Sequence, residues 1–160
     1  MGKFYPKHMK KVCVFFGHSM FVKCRLERDS LKNTIKKQIV DGVKIFYVGT
    51  HGEFDETVLS VCCDLKKEYE DIQIFVVLTN LSKKTLERYS NCGLYETIIF
   101  NIEEIYYKRR IEYSNKIMVE RSDVIICFLD VTAFNSGTQK IIKYAKQQNK
   151  QIINVFNAKN

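Results

Sequence analysis

The stretch KIFYVGTHGEFDETVLSVCC, residues 44–63, contains the transition that decides the fold. A run of β-branched and aromatic residues from Lys44 to Val48 predicts a strand that is buried on both faces. The turn GTHG follows at once, and after it apolar residues recur at helical spacing: Phe54, Val58, Val61, Leu65 and Tyr69. A strand, a tight turn and an amphipathic helix in this order predict the first part of a parallel βαβ unit.

The same alternation continues along the whole chain. Together with the strand just described, the chain has six predicted strands: Val12–Phe16, Val43–Val48, Ile72–Leu78, Glu96–Phe100, Asp123–Leu129 and Gln151–Phe156. Helices are predicted after a cap at Asp29 and Ser30, over Ile105–Glu120, over Thr138–Gln148 and, more weakly, over Leu81–Tyr89. The pattern predicts an α/β fold, a Rossmann-like open and mostly parallel sheet of about six strands with helices on both faces.

Composition and length favour one globular domain. The chain has 160 residues, of which 46% are hydrophobic and 28% charged, and its one proline, Pro6, leaves no obvious linker. We therefore expect a basic tail over residues 1–10 and a single domain over residues 11–160. No apolar run approaches the roughly 18 residues of a membrane span, so a cytoplasmic protein with no membrane partner is expected.

The cysteines do not predict a metal site. There are six, with no C-x-x-C pair and no histidine at ligand spacing, so no metal and no cofactor are expected. Cys13 and Cys127 lie inside predicted strands, where cysteine packs as a small hydrophobic residue. Reduced structural thiols are favoured, and a redox switch at Cys24 or Cys92 is the alternative.

The net charge of +8 leaves several partners open. Nucleic acid, an anionic nucleotide and a merely lysine-rich surface are all compatible with it. Only residues 108–110 form a compact basic cluster, and Tyr106, Tyr107 and Tyr113 near it either stack on a base or pack internally.

The loops that follow the strands are the expected ligand site, because ligands of open α/β sheets bind outside the carboxyl ends of the strands. The loops are residues 17–20, 49–55, 79–84 and 130–138, and three of the four combine glycine with Ser or Thr. Glycine allows a close approach of the backbone. The helix that follows such a loop offers free N–H groups to a phosphate. The candidate residues are Gly17, His18, Ser19, Gly49, Thr50, Gly52, Ser136, Gly137 and Thr138.

Asp55, His18 and His51 have two interpretations each. Asp55 either accepts a sugar hydroxyl and orients the Thr50 loop, or only caps its helix. His18 and His51 either bind a ligand and transfer protons near neutral pH, or do neither.

The order of motifs resembles a known family. Met118-Val119, then Ser122-Asp123 before a strand, then Ser136-Gly137-Thr138 at a helix start and Tyr144-Ala145-Lys146 within it resemble the SLOG superfamily. That group includes the LOG-type phosphoribohydrolases and the DNA-processing protein DprA, and the chain is most similar to its small YpsA-like members. Gly17-His18, residues 49–55 and residues 115–119 fill other motif positions, so the resemblance spans nearly the whole chain.

The resemblance implies a Rossmann-like domain that binds or senses a nucleotide or nucleotide derivative. It adds Asn115 to the site, while Ser114 stands where the family has Arg, a role that Arg110, one turn earlier, could take over. Ile141 occupies the place of the catalytic glutamate of LOG-type enzymes, so N-glycosidic cleavage by that arrangement is not expected. The alternatives are an N-glycoside hydrolase that uses Glu53 or Asp55, and DprA-like binding of single-stranded nucleic acid. A homo-oligomer is compatible with the resemblance.

Overall fold

The computed structural model describes residues 10–17, 25–90, 93–130 and 137–156. The basic tail expected at residues 1–10 therefore lies outside the described residues, apart from Lys10. In the described part, strands and helices alternate without exception. The strands are β1 (Lys11–Gly17), β2 (Val43–Val48), β3 (Gln73–Leu78), β4 (Glu96–Ile99), β5 (Val124–Phe128) and β6 (Gln151–Asn154). The helices are α1 (Arg25–Val40), α2 (Glu53–Glu68), α3 (Lys83–Arg88), α4 (Arg110–Arg121) and α5 (Gly137–Gln147), with a 3₁₀ turn at Tyr107–Arg109.

The strands form one six-stranded sheet in the order β4-β3-β2-β1-β5-β6. Every neighbouring pair is parallel, which confirms the predicted α/β class and extends it from mostly to entirely parallel. The chain builds the sheet outward from β1 to β4 and then returns to place β5 on the other side of β1. The strand order therefore reverses between β1 and β5.

The core lies on both faces of this sheet. Alternate residues of a strand point to opposite faces, and those of β1 divide accordingly. Cys13 and Phe15 pack in one apolar cluster with residues of α1 and α2, whereas Val14 and Phe16 pack in a second cluster with residues of α4 and α5. Helices on both faces, as predicted, leave the two ends of the strands as the places where loops and ligands have access.

Helix starts were harder to predict than strands. The predicted bounds of β2 match the structure, and the other strand predictions differ from it by one or two residues. The predicted cap at Asp29 and Ser30 is wrong, because α1 already includes Arg25 and both residues are exposed on its surface. Both residues therefore lie within the helix and not at its first turn. The helix predicted from Ile105 begins at Arg110.

The described cysteines pack as small apolar side chains. Cys13, Cys62 and Cys127 are buried, and each of them is a free thiol. Burial raises the pKa of the Cys13 thiol well above its usual range and that of Cys127 to about 11, so both stay protonated and unreactive at neutral pH. Cys24 and Cys92, each a candidate redox switch, lie outside the described residues.

Candidate functional site

The carboxyl ends of the inner strands meet at one edge of the sheet. Strand pairing aligns Gly17 with Phe128 and Leu78 with Ile99, so the last residues of these strands lie at a common level. The reversal of strand order between β1 and β5 opens a crevice at this edge in doubly wound sheets. The turns that follow β1, β2 and β5 carry the residues predicted from sequence to bind a ligand.

The turn between β2 and α2 has the most completely defined geometry. Asp55 Oδ2 accepts a hydrogen bond from the backbone N–H of His51 at 2.9 Å, which fixes the turn just before α2 begins. A Cβ at Gly49 would lie 2.6 Å from the same Oδ2 atom, so a larger residue leaves no room for the carboxyl group. Gly52 has φ 99°, a backbone conformation that favours glycine. Both glycines and Asp55 therefore build the turn itself.

The carboxyl group of Asp55 is in an unusual electrostatic environment. Burial raises its pKa to about 7, although the hydrogen bond from His51 lowers it in part. A carboxyl group that titrates near neutral pH at a ligand edge is typical of functional sites, but structural groups also show such shifts. Glu53, the other candidate carboxylate, is exposed in the first turn of α2.

His51 and Thr79 form a polar pair that the sequence motifs did not reveal. Pairing of Val48 with Val76, continued by three residues, brings His51 opposite Thr79 at the carboxyl ends of β2 and β3. His51 Nε2 lies 3.0 Å from Thr79 Oγ1 and 3.5 Å from Thr50 Oγ1. Thr50 Oγ1 also donates a long hydrogen bond, 3.5 Å, to the carbonyl oxygen of Val77. Burial lowers the pKa of His51, so its imidazole is neutral at pH 7.

Gly17, at the end of β1, makes room for an aromatic side chain. A Cβ at Gly17 would lie 2.2 Å from the ring of Phe54, which comes from the first turn of α2. The Phe54 ring stacks on Phe128 with 6.1 Å between centroids, and Phe128 meets Phe156 edge to face at 5.2 Å. The edge between β1 and β5 thus has an apolar side formed by these rings. His18 and Ser19, which follow Gly17, lie outside the described residues.

The first turn of α5 is open on one side and buried on the other. Gly137 is the first residue of the helix, and a Cβ built there would meet no atom of the described residues within 4 Å. Thr138 is buried against the sheet, as is Ile141, which is 6% exposed and packs in the cluster formed by α4 and α5. Position 141 is therefore part of the hydrophobic core. Ser136 lies outside the described residues.

The first turns of α4 hold the remaining predicted residues. Arg110 Nε donates to the carbonyl oxygen of Ile105 at 3.0 Å, so one guanidinium N–H stabilises the approach to the helix. Asn115 is half-buried and the adjacent Ser114 is only 1% exposed. Within the part of the chain that the structure describes, Ser114 Oγ is the one buried side-chain oxygen that has no hydrogen-bond partner. The main packing partners of α4 in the described part of the chain are α5, β1 and the 3₁₀ turn that precedes it.

The residues missed by sequence analysis, Thr79 and Phe54, contribute through contacts between distant segments. Thr79 lies 28 residues from His51 along the chain, and the ring of Phe54 meets Gly17 across α1 and β2. The contact between His51 and Thr79 would follow from the register of β2 against β3, but an apolar run in the sequence does not specify that register.

Other kinds of site have less support. Within residues 10–17, 25–90, 93–130 and 137–156, no group of three or more His, Cys, Asp or Glu side chains could hold a metal ion. No helix in this part of the chain is long and apolar enough to cross a membrane. A cavity of about 210 Å³, lined by Lys66, Gln73 and Tyr95 among others, lies at the amino ends of β3 and β4, away from the ligand edge.

Comparison with known proteins adds no assignment. No protein-family model matches the chain, and no curated protein matches its sequence. The site is therefore interpreted from the geometry of its own residues.

Proposed function

We propose that this protein binds or senses a nucleotide or nucleotide derivative at the carboxyl edge of its sheet. The observation that carries the proposal is the reversal of strand order between β1 and β5, where crevices of doubly wound sheets bind ligands. Of the motifs that resemble SLOG proteins, those at Gly17, at residues 49–55 and at the start of α5 follow strands at this same edge. They support a nucleotide as the class of ligand.

The start of α5 is the proposed phosphate subsite. The first N–H groups of a helix have no partner within the helix, and the helix dipole favours an anion there. Gly137 has no side chain to obstruct the approach, and among the described residues no atom lies within 4 Å of where its Cβ would be. Thr138, the next residue, adds a hydroxyl group near the same helix end.

Sensing is favoured over turnover because of Ile141. This residue packs in the core of α4 and α5, so the helix offers no carboxylate at the place where LOG-type enzymes have one. A buried apolar side chain neither transfers a proton nor stabilises a developing ribosyl cation.

A thermal-shift panel tests the proposal. Its ligands are nucleoside monophosphates, dinucleotides, ADP-ribose with its cyclic forms, and a short oligonucleotide. A ligand at a hundred times its dissociation constant stabilises a protein by about 2.7 kcal/mol, which raises the melting temperature by about 5–10 °C for this length. We expect such a shift with one nucleotide class.

The variant Gly137→Ala locates the site. A methyl group at this position has space in the free protein, and alanine favours helix, so the melting temperature without ligand should stay the same or rise slightly. The same methyl group would obstruct a phosphate on the helix end, and we expect the nucleotide shift to fall at least by half. Gln147→Ala, at the exposed far end of α5, is the matched control and should keep the full shift. No shift with any nucleotide, or an equal shift in both variants, would contradict the proposal.

A second candidate function is hydrolysis of an N-glycosidic bond, and the pKa of Asp55 near 7 favours it. A carboxyl group with this pKa can act as a general acid or base at neutral pH. Product release from nucleoside monophosphates, followed by chromatography and compared between the wild type and Asp55→Asn and Glu53→Gln, tests it. If no product forms with the wild type, this candidate is excluded.

A further inference from the structure

His51 is an exposed histidine that the fold holds from two sides. Its backbone N–H donates to Asp55 Oδ2 at 2.9 Å, and its ring nitrogen Nε2 lies 3.0 Å from Thr79 Oγ1. These contacts come from different elements, α2 and the end of β3. An exposed side chain gains little stability from being held this way, because water would satisfy the ring equally well. The fixed ring favours binding of a ligand instead, because less free energy is then lost in ordering the ring when the ligand binds.

The groups around the ring are uncharged hydrogen-bonding groups. Thr50 and Thr79 contribute hydroxyls, each able to donate and to accept, and a neutral imidazole has one donor and one acceptor nitrogen. The carboxyl group of Asp55 turns toward Gly49 and the His51 backbone. Among the described residues, the hydrogen-bond partners of the His51 ring are the hydroxyl groups of Thr50 and Thr79.

This chemistry matches a sugar better than a phosphate. A phosphate group requires cations or several convergent N–H donors, as at a helix N-terminus. A vicinal diol presents two hydroxyls, each a donor and an acceptor, and the 2′-hydroxyl is the group by which proteins distinguish ribose from deoxyribose.

We propose that His51 and Thr79, with Thr50 beside them, form a subsite for the vicinal diol of a ribose. The inference rests on the proposed function and specifies it, since it assigns the sugar to the ends of β2 and β3 and makes the ligand a ribonucleotide. Asp55 is a positioning residue in this arrangement, because it holds the backbone of His51 and leaves the ring to the ligand.

Discrimination between sugars tests the subsite. The probes are the four ribonucleoside 5′-monophosphates, their 2′,3′-dideoxy counterparts and ribose 5-phosphate, with dissociation constants measured by calorimetry. The wild type should bind the best ribonucleotide about tenfold or more tightly than its dideoxy counterpart, because the dideoxy sugar lacks the hydroxyls that would bond to His51 and Thr79. Binding of ribose 5-phosphate would show that the diol and phosphate suffice without a base.

Variants at Thr79 assign the discrimination to this pair. Thr79→Val replaces the hydroxyl by a methyl group of similar size, and we expect the ratio between ribo and dideoxy ligands to fall to about one to threefold. The affinity for the dideoxy ligand should not change. Thr79→Ser keeps the hydroxyl and should keep the ratio, and His51→Gln should lower it. The control is Thr57→Val, which removes a buried threonine hydroxyl that bonds to Glu53 within α2, and which should keep the ratio.

The outcomes separate this inference from the function on which it rests. If none of the nucleotides binds the wild type, the proposed function fails, and the sugar subsite fails with it. If ribonucleotides bind but the dideoxy ligands bind equally well, or Thr79→Val keeps the ratio, only the sugar subsite is overturned. If Thr79→Val does not fold, as judged by circular dichroism, the comparison of Thr79→Ser with His51→Gln decides in the same way.

Discussion

The carboxyl group of Asp55 shows how a single residue connects the sequence motif with the site. A carboxylate at the third position of a helix, bonded to an N–H group before the helix, resembles the return half of a capping box. Here the acceptor is buried, and the missing Cβ of Gly49 makes its burial possible. Burial of the Asp55 carboxyl group therefore disfavours its ionised form, while its hydrogen bond fixes the backbone of His51.

The raised pKa of Asp55 predicts that the stability of the protein depends on pH. The folded-state pKa of Asp55 is about 7, above its ordinary value of 3.8, so the folded protein keeps a proton that the unfolded chain releases. Its contribution to stability is fully present below about pH 4 and is lost as the pH rises to about 7. In Asp55→Asn the amide oxygen still accepts from His51 and nothing ionises. Relative to the wild type, we expect the variant to gain about 1–3 kcal/mol, or about 3–8 °C, between pH 5 and pH 8.

Urea unfolding at several pH values measures this difference. The lowered pKa of His51 acts in the opposite direction, with stability lost as the pH falls, but it is present in both proteins and largely cancels. Asp71→Asn is the control, because Lys44 holds the pKa of the Asp71 carboxyl below its ordinary value. That variant should show no gain with rising pH. A constant difference between Asp55→Asn and the wild type from pH 5 to 8 would show that the Asp55 carboxyl is ionised throughout.

Residue contacts within a turn were predictable to a degree, and contacts across the fold were not. The sequence indicated that Gly49, Gly52 and Asp55 belong to one tight turn, because all of them lie within seven consecutive residues, 49–55. It could not indicate that Gly17 is required by the Phe54 ring, since that contact depends on how α2 crosses β1. The pairing of His51 with Thr79 depends in the same way on strand register.

Among the elements, α5 makes the clearest distinction between a core position and a functional one. Its buried face includes Thr138, Ile141, Ile142 and Ala145, while Gly137 stays open at the end of the helix. The 3.6-residue period therefore predicted which face is buried. It could not tell whether position 141 faces the core or the ligand, and the structure assigns it to the core.

The variant Ile141→Glu tests this assignment. A carboxylate placed among apolar side chains has neither water nor a partner, and we expect a loss of about 3 kcal/mol or more in the free energy of unfolding. No hydrolase activity should appear, because the glutamate would not reach the ligand edge. Lys140→Glu, one residue earlier and exposed, should change stability by less than about 1 kcal/mol. If Ile141→Glu kept full stability, position 141 would have access to the crevice, and the LOG-type site would be open in this protein.

For the whole molecule, the fold class was predictable and the arrangement of the strands was not. Continuous apolar runs that alternate with amphipathic helices indicated a parallel sheet, because only strands covered on both faces have this composition. The order β4-β3-β2-β1-β5-β6 leaves no comparable trace in any single segment. The reversal of strand order between β1 and β5 was thus identified only from the structure, although the loops that follow these strands were named from sequence.

The net charge of +8 belongs to the molecule as a whole, and its effect on binding can be separated from that of the site. Several surface cations already pair with carboxylates, such as Arg28 with Asp64 and Lys36 with Glu68, so the excess charge is diffuse. Diffuse charge attracts any polyanion, and such binding weakens steeply with salt because it depends on released counterions. We expect affinity for a short single-stranded oligonucleotide to fall at least about tenfold between about 50 and 200 mM salt.

Mononucleotide affinity should fall less than about threefold over the same range, since a mononucleotide releases few counterions. Fluorescence anisotropy with labelled ligands measures both. A competing explanation of oligonucleotide binding is stacking of bases on Tyr106 and Tyr107. Their rings are 58% and 65% exposed, and Lys108 lies over the ring of Tyr107. If oligonucleotide binding persisted in salt and was lost in Tyr107→Ala but kept in the control Leu81→Ala, stacking on these rings would replace diffuse attraction as its cause. Single-stranded nucleic acid would then be the better assignment of the ligand.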